Sequence, residues 1–124
     1  MLVSRLEALA EAITEFSGYR NPEGQLYQLR NPGALRAYDS VRMRDLDGYR
    51  AFTSYKGGFD ALVTDLKLKC SGQSRTTLQV TSRLRELIAV NRLNVEAFHI
   101  VKFLRRALND QSIEAITPLE FFLG

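Results

Sequence analysis

The stretch from Arg30 to Leu66 constrains the fold of this 124-residue chain more than any other. Asn31-Pro32-Gly33 forms a turn: proline fixes φ, and glycine supplies a backbone conformation that other residues adopt only with strain. Leu35-Arg36 follows, then a short segment of mixed charge, then Gly48-Tyr49-Arg50-Ala51-Phe52. From Ser54 the pattern turns helical, with Phe59, Leu62, Val63, Leu66 and Cys70 on one stripe and Ser54 as N-cap. Gly57-Gly58 in the first turn lowers helix propensity, so close packing is expected there.

Around this block the periodicity is helical. Leu2, Leu6, Leu9, Ile13 and Phe16 predict a one-sided amphipathic helix ending near Ser17-Gly18. Leu84, Leu87, Ile88 and Leu93 predict a shorter helix starting after Thr81 or Ser82. Asn94 is expected to cap a helix that buries Val95, Phe98, Val101, Leu104 and Leu108. Thr117-Pro118-Leu119-Glu120 reads as a capping box that opens a terminal turn. Between Ala34 and Phe52 no helical period persists. Asp47-Gly48 signals a hairpin, with 40–43 and 49–53 as short strands. With 45% apolar and 25% charged residues, no repeat and no linker, residues 1–124 read as one mainly α domain of α+β type with a small β-hairpin.

The order of turn, hairpin and helix resembles the lysozyme-like domains of phages and their bacterial hosts, which read roughly "N-N-P-G-N-L-R … G-F-A-x-F … G-x-x-A-L-x-x-D-L". The resemblance runs from about Ala12 to Leu108 and is densest between Asn31 and Leu66. It implies a lysozyme-like fold, peptidoglycan or a related glycan as partner, and lysozyme or lytic transglycosylase activity with a single glutamate as general acid. That acid protonates the leaving oxygen once burial lifts its pKa toward neutrality.

The family's glutamate ends the first helix before a Gly-aromatic pair, and the ungapped match here is Phe16-Ser17-Gly18-Tyr19. A serine hydroxyl cannot protonate a leaving group in this way. Two readings follow. Glu15 is the candidate catalytic acid if the helix ends or bulges before it, because two residues along a regular helix rotate a side chain by about 200°. Otherwise the domain is a catalytically inactive binding or structural module, such as a virion or prophage component.

The candidate substrate-binding residues are Ser17, Tyr19, Asn31, Gly33 and Tyr49. Arg30 and Ala34 replace the asparagines that flank the family's turn. Glu23, Asp39, Asp45 and Asp47 are further carboxylates, each read more readily as a loop or turn residue than as a second acid.

Other chemistry is weakly signalled. His99 has no partner at metal-ligand spacing, and neither a metal nor a cofactor is implied. Cys70 alone forms no internal disulfide and reads as a half-buried small residue. The net charge of +3 suits an anionic partner, but Arg92, Lys102, Arg105 and Arg106 read first as a solvated helical face. Nucleic-acid binding ranks last, without a recognition motif to support it. No segment has the length of a membrane span, and Met1 to Phe16 lacks the apolar run of a signal peptide. The expectation is a cytoplasmic protein unless a holin, virion or secretion system releases it. The pattern specifies no oligomeric state.

Overall fold

The computed structural model describes residues 3–36, 48–72, 83–91 and 93–124. Its helices are α1 (Arg5–Phe16), α2 (Gln25–Gln28), α3 (Tyr55–Cys70), α4 (Leu84–Val90) and α5 (Ala97–Leu108), followed by a 3₁₀ turn at Leu119–Leu123. Helix accounts for 56% of the described residues, and no sheet forms among them.

α1 is the central element, packed against α3, α5 and the 3₁₀ turn. It is more enclosed than a one-sided pattern predicts. Ala8, Leu9, Ala10, Ala12, Ile13 and Thr14 are all buried, leaving Glu11 exposed between them. The physical reason is size: alanines at 8, 10 and 12 let neighbours approach on faces where the leucine stripe alone would allow one. Leu62 and Leu66 of α3, Leu84 and Leu87 of α4, Ile100 and Leu104 of α5, and Ile113, Leu119 and Phe122 complete the core. Each fully buried large aliphatic side chain contributes roughly 1.5–3 kcal/mol relative to exposure.

The helix ends follow from local chemistry. The Ser4 hydroxyl accepts a hydrogen bond from the Glu7 N–H (3.0 Å) and donates to the Glu7 carboxylate (3.0 Å), starting α1. Gly18, at φ +95°, closes it in a conformation that β-carbons disfavour. Ser54 caps α3 as expected, its Oγ accepting from the Gly57 N–H at 3.0 Å.

Other expectations need correction. α5 begins at Ala97 with Glu96 as N-cap, and Asn94 lies outside it. Its buried face is Ile100, Val101 and Leu104, while Phe98 is 56% exposed. Packing on α1 selects the Ile100 side of the stripe. The Thr117 capping box does not form: its Oγ1 accepts backward from the Glu114 N–H (2.7 Å), and Pro118 precedes a 3₁₀ turn, not an α-helix.

The expected β-hairpin is not seen among the described residues. Its first strand, 40–43, and Asp47 of its turn lie outside the described residues. The chain at 49–52 instead pairs with the Asn-Pro-Gly segment. Arg50 N–H donates to Leu35 O (2.9 Å), Phe52 N–H donates to Leu29 O (2.8 Å), and Arg36 and Tyr49 form an isolated antiparallel bridge.

Candidate functional site

The Asn-Pro-Gly turn rests on α3 through two glycines. A Cβ on Gly33 would lie 2.5 Å from Leu62 Cδ1, and a Cβ on Gly58 would fall on the carbonyl oxygen of Arg30 and 2.8 Å from Pro32 Cδ. Turn and helix therefore approach more closely than side chains permit. The two residues flanking the turn, Arg30 and Ala34, both take left-handed φ of 53°.

Asn31 holds this arrangement from inside. It is fully buried, its Nδ2 donating to Leu35 O and Arg50 O (3.0 Å each) and its Oδ1 accepting from the Leu35 N–H (2.9 Å). The amide thus acts as an extra peptide group between two passes of chain, with three hydrogen bonds committed internally. Gly33 contributes its lack of a side chain.

The end of α1 meets the turn at Ser17. Its hydroxyl donates to Pro32 O at 2.7 Å, with Thr14 O 3.2 Å away, and accepts from the Tyr19 N–H at 3.3 Å. Gly18 then swings the chain so that Tyr19 tucks in, only 4% exposed. The Tyr19 ring centre lies 5.5 Å from Tyr27 and 5.4 Å from Tyr55, and Tyr55 in turn stacks on Phe59 at 5.7 Å. The Arg30 guanidinium sits 4.7 Å over Tyr27, and the polar influence of the Tyr27 and then the Tyr19 side chains raises its already high pKa. Burial pushes the Tyr55 phenol up, opposed by Arg20 and by a hydrogen bond with Thr14. The Arg36 guanidinium sits 4.1 Å over the Tyr49 ring and donates to its hydroxyl at 3.2 Å.

Glu15 faces away. α1 stays helical through Phe16, so the early end or bulge needed to aim Glu15 toward the turn is absent. Its carboxylate is 43% exposed and pairs with Arg20 Nε at 3.4 Å. Glu23 is exposed in the following loop, and Asp39, Asp45 and Asp47 lie outside the described residues.

The structure therefore brings Ser17, Tyr19, Asn31 and Gly33 together, while the Glu15 carboxylate is engaged with Arg20 and the Tyr49 ring with Arg36. Tyr55 joins the neighbourhood without a motif to announce it; only the serine cap at Ser54, which fixes where α3 starts, pointed there.

Elsewhere, an open groove of about 550 Å³ runs along α5, lined by Phe98, Val101, Lys102, Arg105, Glu114 and Ala115, and shares no lining residue with the turn. Arg105 is not purely solvated there, because its Nε donates to Ile113 O at 2.8 Å. Arg92 lies outside the described side chains. His99 is exposed, its ring 4.0 Å from that of Phe98. Cys70 is buried, and burial pushes its thiol up to about 11. Among the described residues no group of three or more His, Cys, Asp or Glu can hold a metal ion, and no helix is long and apolar enough to cross a membrane. No known protein family, curated protein or solved structure matches this chain.

Proposed function

We propose that this chain is a lysozyme-like, peptidoglycan-directed domain that binds or organises cell-wall glycan without cutting it. Ser17 carries the reading. It occupies the position that the resemblance assigns to the glutamate acid, and its hydroxyl is engaged with the carbonyl of Pro32 in the turn that borders the family's cleft. Glu15 does not substitute for it. A general acid needs burial to hold its proton near neutral pH, whereas Glu15 is solvated and paired with Arg20.

The turn itself supports the kinship. Arg30 and Ala34 hold left-handed φ where the family's motif carries asparagine, a residue that tolerates this conformation well. Those asparagines thereby gain a backbone reason for their place, and their replacement leaves the turn intact at some strain.

The test is turbidity of purified peptidoglycan sacculi with wild type, Glu15→Gln and Ser17→Glu. Wild type and Glu15→Gln are expected to leave the suspension unchanged while the protein pellets with it. Clearing by wild type that disappears in Glu15→Gln would overturn the proposal and make Glu15 the acid of an active lysozyme or lytic transglycosylase. Slow clearing gained by Ser17→Glu would identify the substitution at Ser17 as what silences the site.

A further inference from the structure

The row Tyr27–Tyr19–Tyr55–Phe59 crosses three separate pieces of the chain: α2, the loop after α1, and the start of α3. Core formation explains Tyr19, which is almost completely enclosed. It does not explain Tyr55, which remains 40% exposed although it supports both Tyr19 and Phe59. The ring is held between the buried Tyr19 and the half-buried Phe59 and still offers apolar area to solvent.

The groups around that face carry both signs. Arg20 follows Tyr19 in the chain, with a side chain 62% exposed and paired with Glu15, and its charge bears on the Tyr55 phenol. Glu11 is exposed on α1 one turn before Glu15, and the Arg30 guanidinium covers the other end of the row. A polyphosphate would meet Glu11 and Glu15 as it approached Arg20, so a nucleic acid fits poorly. Sugar rings fit well: their C–H faces stack on an aromatic plane, while carboxylates accept from hydroxyls and guanidinium donors reach hydroxyl, acetamido or carboxylate oxygens.

We propose that Tyr55, together with Arg20 and Glu11, is the binding platform for a glycan strand, with Tyr19 and Tyr27 fixing its orientation from behind. The assignment rests on the peptidoglycan-directed reading above and names the residues that would carry it. It places the contact on the exposed ring of α3, one layer outside the buried Asn31 that the turn motif singles out.

The experiment is co-sedimentation of the full chain with peptidoglycan sacculi, comparing wild type, Tyr55→Leu, Arg20→Gln and Lys102→Gln. Soluble chitooligosaccharide and a single-stranded oligonucleotide serve as competitors. Leucine retains apolar cover over Tyr19, Arg20→Gln alters an exposed side chain, and circular dichroism verifies that each variant folds.

Apparent affinity is expected to fall about tenfold in Tyr55→Leu and a few-fold in Arg20→Gln, with Lys102→Gln unchanged and the oligosaccharide alone competing. Equal retention of all four proteins would overturn the platform and leave the peptidoglycan-directed reading standing. Failure of wild type to sediment would overturn both. Displacement by the oligonucleotide would replace the glycan with a nucleic acid. Clearing by wild type, with retention still lost in Tyr55→Leu, would keep the platform and overturn only the non-cutting reading.

Discussion

Gly58, in the first turn of α3, lies so close beneath the carbonyl of Arg30 that a methyl group at its Cα would fall on that oxygen. The adjacent Gly57 has no such neighbour; a Cβ there would meet Ser54 Oγ at 3.3 Å. The two glycines share a helix and a propensity deficit of about 1 kcal/mol against alanine. Gly58→Ala is therefore expected to destabilise by at least about 2 kcal/mol, because overpacking against fixed backbone outweighs the propensity gain. Gly57→Ala should be neutral or stabilising by up to ~1 kcal/mol, limited by how far the Ser54 cap can adjust. Urea denaturation of the pair checks this: comparable losses in both would mean that the turn does not press on α3 at Gly58.

Asn31 is the buried link between the turn and the chain at 49–52. Asn31→Ala removes three hydrogen bonds and leaves the carbonyls of Leu35 and Arg50 without this donor; a loss of about 2–4 kcal/mol is expected. Asn31→Asp should be worse at neutral pH, since a carboxylate turns acceptors toward two carbonyl oxygens. Its new acid has a folded-state pKa above the unfolded value, so the mutant's stability relative to wild type should recover as pH falls and the acid protonates. Denaturation midpoints at pH 7 and pH 4 measure the recovery; a constant gap would mean the amide is not the link.

These two residues also mark how far the sequence could be read. Gly58 was legible, because a glycine pair in a helix start with a strong stripe behind it calls for close packing. The helix ends at Ser17-Gly18 and Ser54 were legible for the same local reason: caps are decided by neighbours in sequence. The partner of 49–52 was not. Asp47-Gly48 suggested a local hairpin, whereas the hydrogen bonds run to Leu29 and Leu35, and no short-range signal encodes that pairing.

The faces of α1 and α5 show a second limit. Periodicity locates a stripe, yet alanine is apolar enough to be buried and small enough to be missed, as Ala8, Ala10 and Ala12 are. In α5 both Phe98 and Ile100 satisfy an apolar pattern, and only packing on α1 decides between them. For the site, Ser17 and Tyr19 could be placed from the end of α1. The role of Tyr55 depends on contacts across three chain segments, which a linear pattern does not contain.

Cys70 provides a test with a direction set by pH. Burial raises its thiol from an ordinary value of 9.0 to about 11, with Lys69 opposing and Asp65 adding to the rise. The folded state thus favours the protonated thiol. That contribution is fully present below about pH 9 and is lost as pH rises through the folded value near 11. Wild type should lose more stability between pH 8 and 10.5 than Cys70→Ala does, the difference isolating this group from tyrosine and lysine titrations. A disulfide reagent at pH 8 should label the folded thiol far more slowly than the urea-unfolded one. Equal labelling rates would show that the thiol is open to solvent.

Ala34 follows the turn with φ of 53°, a conformation that costs an L-residue with a β-carbon roughly 1 kcal/mol. Its N–H donates to Asn31 O at 3.3 Å, so the strain is tied to closure of the turn itself. Glycine carries no such penalty but makes the unfolded chain freer, and the two effects oppose each other. At a positive φ the relief of strain prevails, and Ala34→Gly should stabilise by up to about 1 kcal/mol. Ala34→Asn should also gain, because asparagine tolerates the left-handed region. Ala34→Val, whose branched side chain tolerates it least, should lose about 1–2 kcal/mol. Thermal melts of the three variants order the series as glycine and asparagine above wild type and valine below. A series ordered by side-chain size alone, with asparagine beside valine, would mean that crowding rather than backbone conformation limits the position.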